Sequence, residues 1–118
     1  MRRKIIIAGS RDYDDYKSLC EVCDTLLQSE TDIEIVSGTA KGADRLGERY
    51  AIERGFPVTK FPADWERYGR AAGYRRNTAM AEYGNYLIAF WDGLSKGTQM
   101  MIDIAKKKGL KVKIIIYR

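Results

Sequence analysis

The sequence predicts an α/β fold, a three-layer Rossmann-like sandwich built on a five-stranded, mainly parallel sheet. Three observations predict it. Five short apolar runs rich in β-branched residues alternate with stretches of helical periodicity. Most of these runs are continuous rather than alternating, as in parallel strands buried on both faces. The loops after the runs carry glycine and small polar residues, and in such sheets they share the carboxyl edge where ligands bind.

The predicted strands are Ile5–Ala8, Ile33–Val36, Val58–Phe61, Tyr86–Phe90 and Val112–Tyr117. A first helix is expected from about Asp14 to Ser29. Tyr16, Leu19, Cys20, Cys23, Leu26 and Leu27 share one of its faces. A second runs from about Lys41 to Arg54, with Ala43, Leu46, Gly47, Tyr50 and Ala51 inward and Gly55 as its stop. A third covers about Arg70 to Tyr83. A fourth covers about Gly97 to Lys108, turns Met101, Ile102 and Ala105 inward, and stops at Gly109. Right-handed crossovers between parallel strands place these helices on both faces of the sheet.

At 118 residues the chain is expected to form a single domain over 1–118, large enough to hold a core without disulfide or metal. No apolar run approaches the roughly 20 residues that span a bilayer. The apolar stretch after Met1-Arg2-Arg3-Lys4 is too short for a signal peptide, so a cytoplasmic protein is expected. There is no histidine, which excludes a Ser-His-Asp or Cys-His apparatus and any His-ligated zinc site. Cys20 and Cys23 have the Cys-x-x-Cys spacing, but both lie on the apolar face of a helix and no other cysteine could complete a metal site. They are expected to pack in the core. Nothing in the sequence calls for a cofactor.

Net charge is +5 and unevenly placed. Arg2, Arg3, Lys4, Lys106, Lys107, Lys108, Lys111, Lys113 and Arg118 are nine cations without an acid among them. Residues 5–105 hold 12 basic and 16 acidic residues, net −4. The basic runs lack interleaved aromatics for base stacking, and the last turn of a helix favours lysine through the macrodipole. The expected edge for them is the one opposite the ligand crevice, so nucleic acid is not the expected partner.

Three loops are expected at the carboxyl edge. They are Gly9-Ser10-Arg11-Asp12, the run Ser37-Gly38-Thr39-Ala40-Lys41-Gly42-Ala43-Asp44, and Trp91-Asp92-Gly93-Leu94-Ser95-Lys96-Gly97-Thr98. Glycines let backbone N–H groups approach an anion, and two of the loops open helices whose N-termini favour negative charge. None is a Walker A loop or a Gly-x-Gly-x-x-Gly fingerprint. A long connection, Pro62–Tyr74, carries Asp64, Trp65, Tyr68, Arg70 and Tyr74, with Arg75, Arg76 and Asn77 just after it. Arginine forks suit phosphate, and the aromatics suit a base or a lid.

Together these motifs resemble the SLOG superfamily, specifically its small YspA-type, cpYpsA-related branch. The resemblance runs over nearly the whole chain. It rests on Gly9-Ser10-Arg11-Asp12-Tyr13, Ser37-Gly38-x-x-x-Gly42-Ala43-Asp44, Phe61-Pro62-Ala63-Asp64-Trp65, Gly69-Arg70-Ala71-Ala72-Gly73-x-x-Arg76-Asn77-x-x-Met80 and Gly97-Thr98. It implies a Rossmann-like domain that binds nucleotides or nucleotide-derived ligands. More distantly the chain is similar to LOG-type phosphoribohydrolases and to the Rossmann-like domain of the DNA-processing protein DprA. The LOG signature is Gly-Gly-x-Gly-Thr-x-x-Glu with an upstream arginine, which Arg76 matches. Here its glutamate position is Met101, a neutral thioether, and Asp103 lies about 200° round the helix from it. That counts against the hydrolase mechanism.

The expected function is therefore to bind, and so sense or sequester, a small nucleotide-type ligand. Its phosphate is expected on Gly9-Ser10, Ser37-Gly38 and Gly97-Thr98. Arg11 and Arg76 supply positive charge, Asp44 and Asp92 accept ribose hydroxyls, and Asp64-Trp65 wall the base. Asn77, Gly42, Gly93 and Ser95 complete the expected site. Nucleotide N-glycosidase activity and single-stranded nucleic-acid binding are the alternatives. The LOG-type relatives imply a homodimer.

Overall fold

Strand β1 (Arg3–Gly9) forms the middle of the sheet in the computed structural model, which describes residues 2–117. Arg118, one of the nine end cations, lies outside the described residues. The other strands are β2 (Ile33–Ser37), β3 (Val58–Lys60), β4 (Tyr86–Trp91) and β5 (Lys111–Ile116). Their order is β3-β2-β1-β4-β5, and every ladder is parallel, so the sheet is all-parallel rather than mainly so. Ile5, Ile6 and Ile7 of β1 are each 0% exposed, as are Ile35 and Val36 of β2 and Leu87 to Phe90 of β4. Burying each of the Val, Leu, Ile and Phe side chains among them contributes roughly 1.5–3 kcal/mol.

Alternate residues of β1 feed two separate cores. Ile5 and Ile7 pack with α1 (Tyr16–Leu27) and α2 (Ala43–Arg54). Ile6 and Ala8 pack with α4 (Ala72–Tyr83) and α5 (Lys96–Lys107) on the other face. This is the period-two alternation of a strand with helices on both sides, giving the three expected layers.

Helix ends show their local causes. The Asp15 carboxylate accepts from Ser18 N–H at 3.1 Å and starts α1 later than the apolar pattern alone suggests. The N-cap of α2 is Gly42, so Lys41 precedes the helix rather than opening it. Gly55 ends α2 in the left-handed conformation. Lys106 and Lys107 occupy the last turn of α5, where the dipole favours them. Cys23 is buried against α2 and its thiol is pushed up to about 12 by burial, while Cys20 is half-buried beside it, in line with a packing role.

The connection Pro62–Tyr74 departs from the expectation of a plain loop. Asp64 caps a one-turn helix, α3 (Trp65–Tyr68), by accepting from Arg67 N–H at 3.1 Å. A 3₁₀ turn over Gly69–Ala71 follows, and α4 therefore begins at Ala72 rather than Arg70. Elements of three or four residues are too short to show a helical period in sequence.

Gly42 combines a left-handed backbone with a close approach. Its φ is +86°, and a Cβ there would stand 2.4 Å from the Ser10 carbonyl oxygen. Gly42→Ala is expected to destabilise the fold by about 3 kcal/mol or more, combining dihedral strain with a backbone clash. Urea unfolding of the variant measures this.

Candidate functional site

The strand order reverses between β1 and β4. The chain leaves β1 toward α1 on one face and leaves β4 toward α5 on the other, and a crevice opens between the two exits. A cleft of about 160 Å³ lies at that point. Its floor is Ala8, Gly9 and the buried Met101. Around it stand Arg11, Asp44, Arg76, Asn77 and Thr98, and Trp65 stands at its edge, 54% exposed.

Three polar scaffolds hold these walls. In the first, Ser10 Oγ accepts from Asp92 N–H at 3.3 Å, tying the ends of β1 and β4 together. Asp92 Oδ1 accepts from the N–H groups of Leu94 and Ser95 at 2.9 and 2.7 Å, and the Trp91 indole N–H donates to the Ser95 carbonyl at 3.0 Å. Gly93, with φ +82°, lets this turn close. Asp92 is thus committed to shaping the start of α5. In the second, the Ser37 hydroxyl donates within hydrogen-bond range of Glu48 Oε2 at 2.7 Å and of the Asp44 carbonyl at 3.2 Å, and accepts from Thr39 N–H at 3.0 Å. That holds Thr39 at φ +59°, a strained value for a β-branched residue.

The third scaffold sets the charge of the site. Arg76 on α4 reaches across to the loop after β2, donating to the Gly38 carbonyl, and its Nε donates to Asn77 Oδ1 on its own helix at 2.8 Å. Gly38 makes room for this: a Cβ there would lie 2.8 Å from an Arg76 nitrogen and 2.9 Å from Asp44 Oδ2. Burial, and then the like charge of Arg11, hold the Arg76 pKa below its ordinary value, opposed by Asp44. Asp44 is 5% exposed and accepts from Ala40 N–H at 3.2 Å. Burial pushes its carboxyl up to about 6, against the lowering influence of that N–H and of Arg76. Two cations therefore face one carboxylate, which titrates at about 6 and is largely ionised at pH 7.

Helix α5 begins without a side-chain cap, since the Ser95 hydroxyl pairs with that of Thr98 at 3.3 Å. Its first-turn N–H groups border the cleft at Gly97 and Thr98. The space where a Gly97 side chain would stand is open.

Of the residues expected from sequence, Gly9, Arg11, Asp44, Trp65, Arg76, Asn77, Ser95, Gly97 and Thr98 line this one cleft. Ser10, Ser37, Gly38, Gly42, Asp92 and Gly93 lie behind it and shape its walls. Asp64 caps α3 and borders a neighbouring cavity with Tyr68 and Arg75. Sequence reasoning missed Met100 and Gly73 as lining residues, and Glu48 as the partner of Ser37. Glu48 sits one turn after Asp44, and that i, i+4 spacing was the available signal. Gly73 faces Trp65, whose ring would lie 3.5 Å from a Cβ there.

The basic chain ends are largely partnered at the opposite edge. Arg2 pairs with Asp32 at 3.2 Å and Glu34 at 3.5 Å, Arg3 with Glu30 at 3.5 Å, and Lys108 with Glu82 at 3.1 Å. Lys4 and Lys111 stand over the rings of Tyr83 and Tyr86. Among the described residues, no helix is long and apolar enough to cross a membrane.

A family model described as YspA, cpYpsA-related SLOG family matches residues 3–68. The Gene 61 protein of Mycobacterium phage D29 is 36% identical over 117 residues, covering 93% of this chain and 94% of that one. The X-ray structure of DNA processing protein A (DprA) from Streptococcus pneumoniae matches with a TM-score of 0.77 at 20% identity, over 100% of this chain and 51% of that one. The chain thus spans about half the length of that solved protein, and the match shows a shared Rossmann-like fold.

Asp44 makes stability depend on pH. Its folded pKa of about 6 lies above the ordinary 3.8, so the unfolded chain releases this proton first as pH rises. The contribution of Asp44 to stability is full below about pH 4 and lost as pH climbs through 6, by about 3 kcal/mol. Asp44→Asn removes this dependence. In urea unfolding, the variant is expected to gain on the wild-type protein by about that amount between pH 4 and 7.

Proposed function

The chain belongs to the YspA, cpYpsA-related SLOG family, and we propose that it binds the phosphate-bearing end of a small nucleotide-type ligand in the cleft between β1 and β4. One observation carries the reading. Arg11 and Arg76 converge on a recess at the switch point, where Asp44 is the one lining carboxylate among the described residues, so cations outnumber acids there. Such a recess favours an anion.

The phosphate lies over Gly9, between the two arginines, and meets the first turn of α5 at Gly97 and Thr98. Asp44 accepts a ribose hydroxyl. The cleft of about 160 Å³ is smaller than the roughly 300 Å³ that begins the range for whole-ligand pockets. It takes the ribose-phosphate, and the base lies outside against Trp65. We place this activity in a single-domain, cytoplasmic, homodimeric protein.

Turnover is not part of this reading. Cleaving an N-glycosidic bond builds positive charge on the ribose, which a carboxylate beside the sugar stabilises. Met101 forms the floor where LOG-type relatives place that group. Single-stranded nucleic acid is the second reading. Trp65 and Tyr74, each more than half exposed, stand on α3 and α4 near the exposed Arg70 and Arg75, a pairing of aromatic and cation that suits a strand.

Calorimetry against mono- and dinucleotides, cyclic dinucleotides, ADP-ribose and oligothymidylate tests these readings. Micromolar binding of a small nucleotide is expected. Arg76→Ala should weaken it by about 1.5–3 kcal/mol, and Arg11→Ala, which leaves the Gly38 contact intact, should also weaken it. No small-molecule binding at millimolar ligand would falsify the nucleotide reading. Binding of the oligomer alone, with a steep salt dependence, would establish the second.

Free-base release from AMP, GMP, CMP, UMP and ADP-ribose is expected to stay at background. Robust wild-type release that disappears in Arg76→Ala would make the protein a hydrolase.

A further inference from the structure

Arg76 borders two cavities. One is the cleft. The other, of about 260 Å³, is bounded by Phe61 and Pro62 after β3, by Asp64 and Tyr68 of the α3 turn, and by Arg75 on α4. Asp64 belongs to a motif singled out in the sequence, Phe61-Pro62-Ala63-Asp64-Trp65, of which the nucleotide reading gives only Trp65 a role.

The charges of this second cavity are unpaired. Asp64 Oδ1 accepts from Arg67 N–H at 3.1 Å, which starts α3, and Oδ2 has no partner among the described residues. Arg75 forms no ion pair or hydrogen bond among the described residues, and its guanidinium stands over the Tyr68 ring at 4.3 Å from the centroid. An acid and a cation thus line one cavity without meeting. The space between them suits a group that offers donors to the one and acceptors to the other. The remaining walls are apolar or aromatic, from Phe61, Pro62, Tyr68 and the alanines of α4. A flat heterocycle fits such walls, since its face stacks on an aromatic ring or a guanidinium plane. The volume is below the roughly 300 Å³ that begins the range for whole-ligand pockets, so the cavity takes one part of a ligand. Arg76, common to both linings, leads from it to the cleft.

We propose that this cavity receives a guanine, the second base of a dinucleotide whose phosphate lies in the cleft and whose first base rests on Trp65. The proposal rests on the nucleotide reading above and names the ligand class. Guanine presents two adjacent donors, N1–H and N2–H, to the Asp64 carboxylate, and its O6 and N7 accept from Arg75. Adenine has an acceptor at N1, which would face the carboxylate without a proton between them. Hypoxanthine keeps N1–H but lacks the amino group. Arg76 stands beside the link between the two nucleosides.

Calorimetry of the full chain with GpG, IpI and ApA, with cyclic di-GMP and cyclic di-AMP, and with GMP tests the proposal. A guanine dinucleotide is expected to bind about tenfold or more tighter than its adenine counterpart and than GMP, with IpI between GpG and ApA. Asp64→Asn keeps an oxygen to cap α3 and replaces the free acceptor with a donor, so it should bring the guanine and adenine dinucleotides to near parity. Arg75→Ala should weaken the guanine dinucleotide about tenfold. Glu66→Gln, an exposed change on the same turn and outside both cavities, should leave the preference intact. A guanine preference in either the linear or the cyclic pair supports the proposal and identifies the linkage. Dinucleotides no tighter than GMP, or a guanine preference that survives Asp64→Asn, overturn it and leave the nucleotide reading standing. A longer guanine-containing single strand that binds where the dinucleotides do not also overturns it. Failure of every nucleotide to bind removes the nucleotide reading and this proposal together.

Discussion

The close approach of β1 to β4 at Gly9 is the constraint on which the rest of the structure depends. A Cβ at Gly9 would lie 2.2 Å from the Phe90 carbonyl oxygen and 2.8 Å from the Ala43 side chain. Only a glycine lets the end of β1, the end of β4 and the first turn of α2 meet there. The two strands then hand the chain to opposite faces of the sheet. The cleft is the space this divergence leaves, and it lies where the loop backbones come together.

Polar groups around that space divide between building and receiving. Ser10, Ser37, Glu48 and Asp92 spend their hydrogen bonds on the loops. Arg11, Arg76 and Asp44 are left facing inward, with only part of their charge compensated. Burial raises the Asp44 pKa and lowers that of Arg76, so both shifts reflect desolvation at the site. At the far edge the arrangement is reversed. There Arg2, Arg3 and Lys108 pair with Glu30, Asp32, Glu34 and Glu82, so part of the basic composition is taken up in ion pairs. Such exposed pairs contribute little to stability.

The segment Gly9–Asp15 serves both the cleft and the core. Seven residues carry the glycine that permits the switch point, the arginine that enters the cleft, and the acid-and-tyrosine run that turns the other way. Tyr13 links this loop to β4 through Phe90 and to the end of β5 through Tyr117.

The amino-acid sequence by itself determined the order and type of the main elements, both cores, and the gathering of glycine-rich loops on one edge. Apolar period and glycine placement are properties of neighbouring residues, and the chain carries them wherever it folds. The α3 turn was hidden because four residues cannot display a period. The division of labour among the site residues was decided only by the tertiary structure. Asp44, Asp64 and Asp92 are equivalent carboxylates in sequence. In the fold one is buried opposite Arg76, one caps a helical turn and one closes a loop. Their difference lies in which backbone N–H groups come within hydrogen-bond reach of each oxygen. Those distances join segments far apart in the chain, as with Arg76 and Gly38, and no local pattern encodes them.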